Sequence, residues 1–375
     1  MKIPFNRVDL QGNEIKNIND SVEKGHISGD GYYTKKCSHT LKQTLNVPKV
    51  LITTSCTHAL EMTAILANIK PGDEVIIPSF TFVSTVNAFV LRGAVPVFAD
   101  IRSDTLNLNE SQLENLITDK TKIIVPVHYA GIGCEMEQIM KTANKHNIIV
   151  VEDNAHGLFG MYKSKYLGTF GDFSTNSFHE TKNFTSGEGG ALVINNNKDI
   201  IRAEIIREKG TNRSAFFRGQ VDKYNWIDLG SSYLPSDILA SFLYAQFEKR
   251  DQIQLKRKKI WDHYYENLIN WAKNNDVNLP FVPHHCDQAY HMFYLLFPRL
   301  KDRSNFIKYM KSKNISCVFH YQPLNDSPMG NKFGWGKGDC PVTEDISDRL
   351  VRLPFYNNLI PDIDYVIESI TSFKV

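Results

Sequence analysis

The sequence predicts an α/β protein: a mostly parallel, mixed sheet between helices, followed by a smaller C-terminal α+β domain. Three observations predict it. Apolar strand-like runs alternate with helical stretches from about residue 49 to residue 153, the pattern of parallel strands joined by crossover helices. Over residues 171–195 the texture changes to short β-like runs around a Gly-rich turn. From about Phe247 onward a long basic helix is followed by further β-like pieces. A chain of 375 residues carries a prior of about two domains. We place them at 1–246 and 247–375.

Taken in order, Lys49 to Thr53 reads as a short buried strand, and Ser55 to Asn68 as a helix with apolar residues three and four apart. Pro71-Gly72 is a turn into the strand Asp73 to Ile77. A helix over about Phe82 to Leu91 stops at Gly93 and leads into the strand Val95 to Asp100. Lys122 to His128 is a further strand, then a helix ends near His146, and Asn147 to Asp153 is a strand again. In the last third, HMFYLLF and ISCVFHY are the β-like pieces.

Composition narrows the function. Lys+Arg 43 against Asp+Glu 41 leaves a formal charge of +2, so no general basic field exists for nucleic acid or an anionic membrane. No apolar run reaches the roughly 18 residues of a membrane span, and the first residues lack the apolar core of a secretory signal. A cytoplasmic location is the expectation. Six cysteines at 37, 56, 134, 286, 317 and 340 form no C-x-x-C pair, which argues for reduced thiols rather than a disulfide framework. His284-His285-Cys286 with His291 fits no standard zinc spacing, so no metal site is expected.

Three features could carry chemistry. Asp153 ends an apolar strand, where open α/β sheets bind ligands, although an Asp there also caps helices. The turn Thr53 to Thr57 offers hydroxyls and free amides at a helix start, which suits a phosphate; simple capping by Ser55 is the plainer reading. Lys182 lies between Ser177 and the Ser186 to Gly190 turn, and by itself would be a solvated charge. Together a phosphate anchor, a strand-end carboxylate and a lysine beside glycines are the fixtures that a pyridoxal phosphate enzyme needs.

The ordered segments PGDEVIIPSFTFVSTVNAF, FADI, VPVHYAG, VVEDNAH, SFHETKN, GEGGALV and REKGTNR, with FHYQPL and RLPFYNNL, resemble the DegT/DnrJ/EryC1/StrS sugar aminotransferases of fold type I. Within that family the chain looks most similar to enzymes that aminate C4 of dTDP-4-keto-6-deoxy-D-glucose with L-glutamate. The resemblance implies pyridoxal 5'-phosphate as cofactor and a homodimer with shared active sites. It implies that Lys182 forms the Schiff base with the cofactor and that Asp153 faces the pyridine nitrogen. It places His156 near the ring oxygen, Phe82 on the ring face, and Cys56, Thr57 and Ser177 on the phosphate. Arg213, Arg218, His320 and Tyr321 become candidates for the nucleotide sugar.

Many members of the family it resembles donate an Asn from the neighbouring subunit to the phosphate; the matching position here is Leu234. Asn154 stands where relatives often have Ala, and no role is assigned to it. A dehydratase branch carries His in place of the lysine, so Lys182 favours amino transfer. The expected product is the galacto sugar, dTDP-4-amino-4,6-dideoxy-D-galactose, used for a bacterial surface polysaccharide such as O-antigen. The gluco epimer and, more distantly, a GDP-linked or 3-keto sugar are the alternatives. A nicotinamide enzyme is disfavoured because the glycine runs at Gly29 and Gly131 both lack the last glycine of G-x-G-x-x-G. A non-catalytic regulator is disfavoured by the intact Lys182, Asp153 and Ser177.

Overall fold

A computed structural model describes residues 2–375. Its main sheet has seven strands: β1 (Lys49–Thr53), β2 (Glu74–Pro78), β3 (Val95–Ala99), β4 (Thr121–Ile124), β5 (Ile149–Asp153), β6 (Phe173–Ser177) and β7 (Gly190–Ile194). Their spatial order is β1-β7-β6-β5-β4-β2-β3. β3, β2, β4, β5 and β6 run parallel, while β7 is antiparallel to both of its neighbours. The central strands are buried on both faces, which is why they read as continuous apolar runs rather than alternating ones. Helices cover them: α3 (Cys56–Leu66) packs on one face beside α4 (Val83–Val90), and Met136–His146 lies on the other.

Three departures from the expected elements have local causes. The run after Lys122 ends as a regular strand at Ile124: the Val125 amide still donates to the Ile76 carbonyl at 2.8 Å, but Pro126 has no N–H for the ladder, and Val127 meets Asp153 through an isolated bridge. Asn147 turns left-handed at φ 55° to close the preceding helix, so β5 begins at Ile149. The long basic helix starts at Arg250, not Phe247. Phe247 belongs to the helix Asp237–Glu248, and Lys249 breaks the two apart with non-helical backbone.

The last third forms the smaller α+β part. A three-stranded antiparallel sheet places Leu350–Arg352 between Tyr294–Leu296 and Val318–Phe319. It packs with helices Arg250–Asn274, Leu300–Ser312 and Ile363–Thr371 around a core of Trp261, Tyr264, Phe293, Phe297 and Phe306. Ile3 is buried in that same core and bridges Ile315, so the beginning of the chain is sewn into its end. The expected boundary at 246/247 falls inside the helix Asp237–Glu248, just before the break at Lys249.

No helix among the described residues is long and apolar enough to cross a membrane.

Candidate active site

The register of the sheet brings four strand ends to one edge. Thr53 at the end of β1 and Ser177 at the end of β6 both pair with Gly190 at the start of β7, while Asp153 at the end of β5 pairs with Thr175. This is the carboxyl edge of a parallel sheet, where connecting loops leave a crevice. A cavity of about 540 Å³ opens there, lined by Cys56, Thr57, Phe82, Asp153, His156, Ser177, Lys182, His320 and Tyr321.

Lys182 sits in the connection from β6 to β7. Phe178 and Phe184, on either side of it, are buried with Phe159 and Phe247, which pins the loop to the sheet. Asn183 extends the tether by donating to the Ala289 carbonyl at 2.6 Å and meeting His291 Nδ1 at 2.9 Å. Burial pushes the Lys182 amine down to about 8, with Asp153 opposing the shift and Arg352 adding to it.

The Asp153 carboxyl is fixed by two donors: the Thr85 hydroxyl at 2.7 Å on Oδ2 and the Ala155 amide at 3.1 Å on Oδ1. Burial raises its pKa, against those hydrogen bonds and the nearby Lys182 charge. A cationic partner would relieve that burial. At the helix start, Ser55 does cap α3, accepting from the His58 amide at 3.0 Å. The cap leaves the Cys56 and Thr57 amides with no acceptor among the described residues, so capping and anion binding coexist. Gly190 allows the close approach: a Cβ there would stand 2.3 Å from the Ser55 carbonyl carbon and 2.4 Å from the Cys56 nitrogen.

Phe82 precedes α4 with 57% of its surface exposed, and its ring lies 6.3 Å from that of Tyr321. His156 is buried and stacked on His291 at 4.1 Å, and its Nδ1 is enclosed without a partner. Burial drives the pKa of both histidines well below the usual range, so they are neutral. His320 meets the Tyr129 hydroxyl at 3.0 Å.

These residues fit pyridoxal phosphate. The free amides at α3 suit its phosphate, and the buried Asp153 suits a protonated ring nitrogen. The orphaned Nδ1 of His156 suits an added polar group, and the lysine of lowered pKa suits attachment to a carbonyl.

Arg213 and Arg218 lie elsewhere. They line a second cleft of about 960 Å³ with Leu234, where Arg213 pairs with Glu208 at 3.1 Å and Arg218 with Glu204 at 2.8 Å. Within one chain they do not meet Lys182. The histidines at 284, 285 and 291 are not a cluster either: His285 bonds Glu135 at 2.9 Å, and His291 supports the lysine loop. Asn154, left without a role, bridges the Leu167 carbonyl and the Asn176 side chain under the site.

Sequence reasoning missed Thr85, His291 and Arg352. Thr85 stands three residues after Phe82, in the first turn of α4, and could have been found by that spacing. The other two come from the last third of the chain: Arg352 opens RLPFYNNL and His291 was weighed only against zinc spacing, and neither position signals the cavity.

Comparison with known proteins shows the family. The model of the DegT/DnrJ/EryC1/StrS aminotransferase family matches residues 8–371. An uncharacterized protein, MJ1066 of Methanocaldococcus jannaschii, is 36% identical over 371 residues, covering 96% of this chain and 94% of that protein. GDP-perosamine synthase of Escherichia coli O157:H7 is 31% identical over 376 residues, covering 99% and 98%. The putative sugar aminotransferase Spr1654 from Streptococcus pneumoniae superimposes with a TM-score of 0.91 at 26% identity over 99% of this chain and 98% of that one. Spr1654 has been solved in PLP and PMP forms, the two cofactor states that an aminotransferase alternates between. The chain thus belongs to the DegT/DnrJ/EryC1/StrS family and is a pyridoxal-phosphate-dependent aminotransferase of fold type I.

Proposed function

We propose that the chain moves the amino group of L-glutamate to C4 of a nucleotide-linked 4-keto-6-deoxyhexose, with a GDP-linked sugar as the first reading. The observation that carries the amino-transfer reading is the convergence of Lys182, Asp153 and the α3 N-terminus on one cavity. Two relatives aligned over nearly their whole length, from Escherichia coli O157:H7 and Vibrio cholerae, are named GDP-perosamine synthase. A third, at 30% identity, is the spore coat polysaccharide biosynthesis protein SpsC of Bacillus subtilis. These names favour the GDP-linked alternative over the dTDP sugar expected from the motifs, and they support synthesis of a surface polysaccharide as the setting. The dTDP-4-keto-6-deoxy-D-glucose reading stays second, on the extended motifs FHETKN, EKGTNRS and FFRGQVDKY.

Pyridoxal phosphate, when bound, supplies a carbonyl that takes up the donor's nitrogen and a ring that accepts the electron pair released at the donor's Cα. In this reading the Lys182 amine, about half neutral at pH 8, removes the Cα proton of glutamate and later delivers a proton to C4 of the sugar. Asp153 keeps the ring nitrogen protonated, held in place by Thr85 and Ala155. The amides of Cys56 and Thr57, with the hydroxyls of Thr57 and Ser177, hold the phosphate. Phe82 would cover the ring face and His156 would meet the ring oxygen. Over both halves, L-glutamate and the keto sugar become 2-oxoglutarate and the amino sugar. We further propose a homodimer in which the cleft of one subunit, with Arg213 and Arg218, completes the Lys182 cavity of the other.

The test supplies L-glutamate with each sugar nucleotide in turn and reads the product by mass and by the H3–H4 proton coupling. Amination of the GDP sugar is expected. Amination of the dTDP sugar alone would promote the second reading, and turnover of neither would overturn both.

A further inference from the structure

Arg352 closes the cavity from the side of the C-terminal sheet, and nothing above gives it a task. It ends the strand Leu350–Arg352, paired with Tyr294 on one side and Val318 on the other. Alternation along the strand sends Val351 and Leu353 into the C-terminal core and turns Leu350 and Arg352 to the opposite face, which meets Tyr129 and the cavity.

The guanidinium has no carboxylate or carbonyl partner among the described residues, and its Nε is enclosed without an acceptor. Its neighbours are aromatic. The Phe5 ring centroid lies 4.6 Å away, and the phenols of Tyr129 and Tyr321 are kept protonated by burial. The two carboxylates of the cavity wall are committed elsewhere: Asp153 to Thr85 and Ala155, Glu188 toward His179 at 3.7 Å. Two other buried arginines have oxygen partners, although the Nε of Arg207 is also enclosed without one. Arg207 grips Asp30 with two bonds of 2.7 Å, and Arg257 donates to the carbonyls of Tyr290 and His291.

An enclosed cation without a counter-charge is expensive, and the arginine fork matches a carboxylate with two parallel bonds. The cofactor's phosphate has its own place at the start of α3, so the missing anion is a different one. The reaction brings a small anion beside Lys182 once per cycle: the carboxylate on the carbon whose proton Lys182 removes. We propose that Arg352 binds the α-carboxylate of the amino donor and so turns the donor's Cα–H toward Lys182. This rests on the amino-transfer reading of Lys182. The keto sugar has no such carboxylate, so Arg352 serves one half of the reaction and not the other.

The test follows the two half reactions of the holoenzyme separately, by cofactor absorbance, in the parent, Arg352→Gln and Arg352→Lys. Half-saturation by L-glutamate should rise about 100-fold in Arg352→Gln, with 2-oxoglutarate weakened equally, and by less in Arg352→Lys, which keeps the charge and loses the fork. The rate at which the keto sugar oxidises the pyridoxamine form should stay within about threefold. Unchanged glutamate affinity in Arg352→Gln overturns the proposal, as does an equal loss in both half reactions, which marks a structural role. A loss confined to the sugar half reaction overturns it too, in favour of an anion on the sugar nucleotide. If melting curves show Arg352→Gln unfolded, Arg352→Lys decides by the same comparison. A parent that holds the cofactor but gives no response to glutamate fails the amino-transfer reading itself, and the inference with it.

Discussion

Attachment of pyridoxal phosphate to the cofactor-free chain should accelerate with pH through a midpoint near 8, because only a neutral amine attacks a carbonyl. A solvated lysine titrates near 10.5, whereas burial holds Lys182 at about 8, a difference of about 3 kcal/mol against the charged form. At pH 7 roughly one Lys182 in ten is then neutral, against roughly one in three thousand for an ordinary lysine, so attachment gains about 300-fold. The sign is that of a depressed base: the reactive form is lost as pH falls below 8 and is complete well above it. The neighbours give two further directions. Asp153→Asn removes a charge that favours the ammonium and moves the midpoint down; Arg352→Gln removes a repelling cation and moves it up. Stopped-flow absorbance in the visible range, started by mixing apoprotein with cofactor, reads all three profiles. A parent midpoint at 10 or above would refute the reasoning, as would the same profile in Lys182→Ala.

Other substitutions test other parts of the site. Asp153→Asn should slow transamination by several powers of ten, roughly 4 kcal/mol or more, while the phosphate still holds the cofactor, because a neutral amide cannot keep the ring protonated; steady-state kinetics with cofactor content measured alongside checks this. Gly190→Ala forces a Cβ to within 2.4 Å of the α3 start, so strand and helix must part. Stability should fall by about 3 kcal/mol and cofactor retention on dialysis at least tenfold. Phe184→Ala empties a site that is 1% exposed beside the lysine loop and should cost about 3–5 kcal/mol in denaturant unfolding.

Much of this site was legible because its residues lie at the ends of predicted strands. Asp153 follows an apolar run, Thr53 to Thr57 stand between strand and helix, and Ser177 ends a β-like run. A strand's direction puts its last residue at the carboxyl edge wherever the strand sits. The identity of the cofactor was readable for the same reason, since the phosphate anchor, the carboxylate and the lysine come from one edge of one sheet. Arg213 and Arg218 show the opposite case. Their motif was visible, but their cleft lies apart from Lys182 in the single chain, and no spacing reports that. His291 drew notice only as a misfit to zinc spacing; what spacing could not show is that it is buried, stacks on His156 and steadies the lysine loop through Asn183.

By itself, then, the sequence determined the alternation of strands and helices, the carboxyl-edge residues and the chemistry that these support, because each follows from periodicity or from a contact between neighbours in the chain. Only the tertiary structure decided how Gly190 seats against Ser55, how Ile3 joins the last domain and how Arg352 reaches the cavity without a counter-charge. Those depend on the packing of segments up to some three hundred residues apart. Desolvation, which sets the state of Lys182, is likewise a property of that packing: no side chain carries its own dielectric.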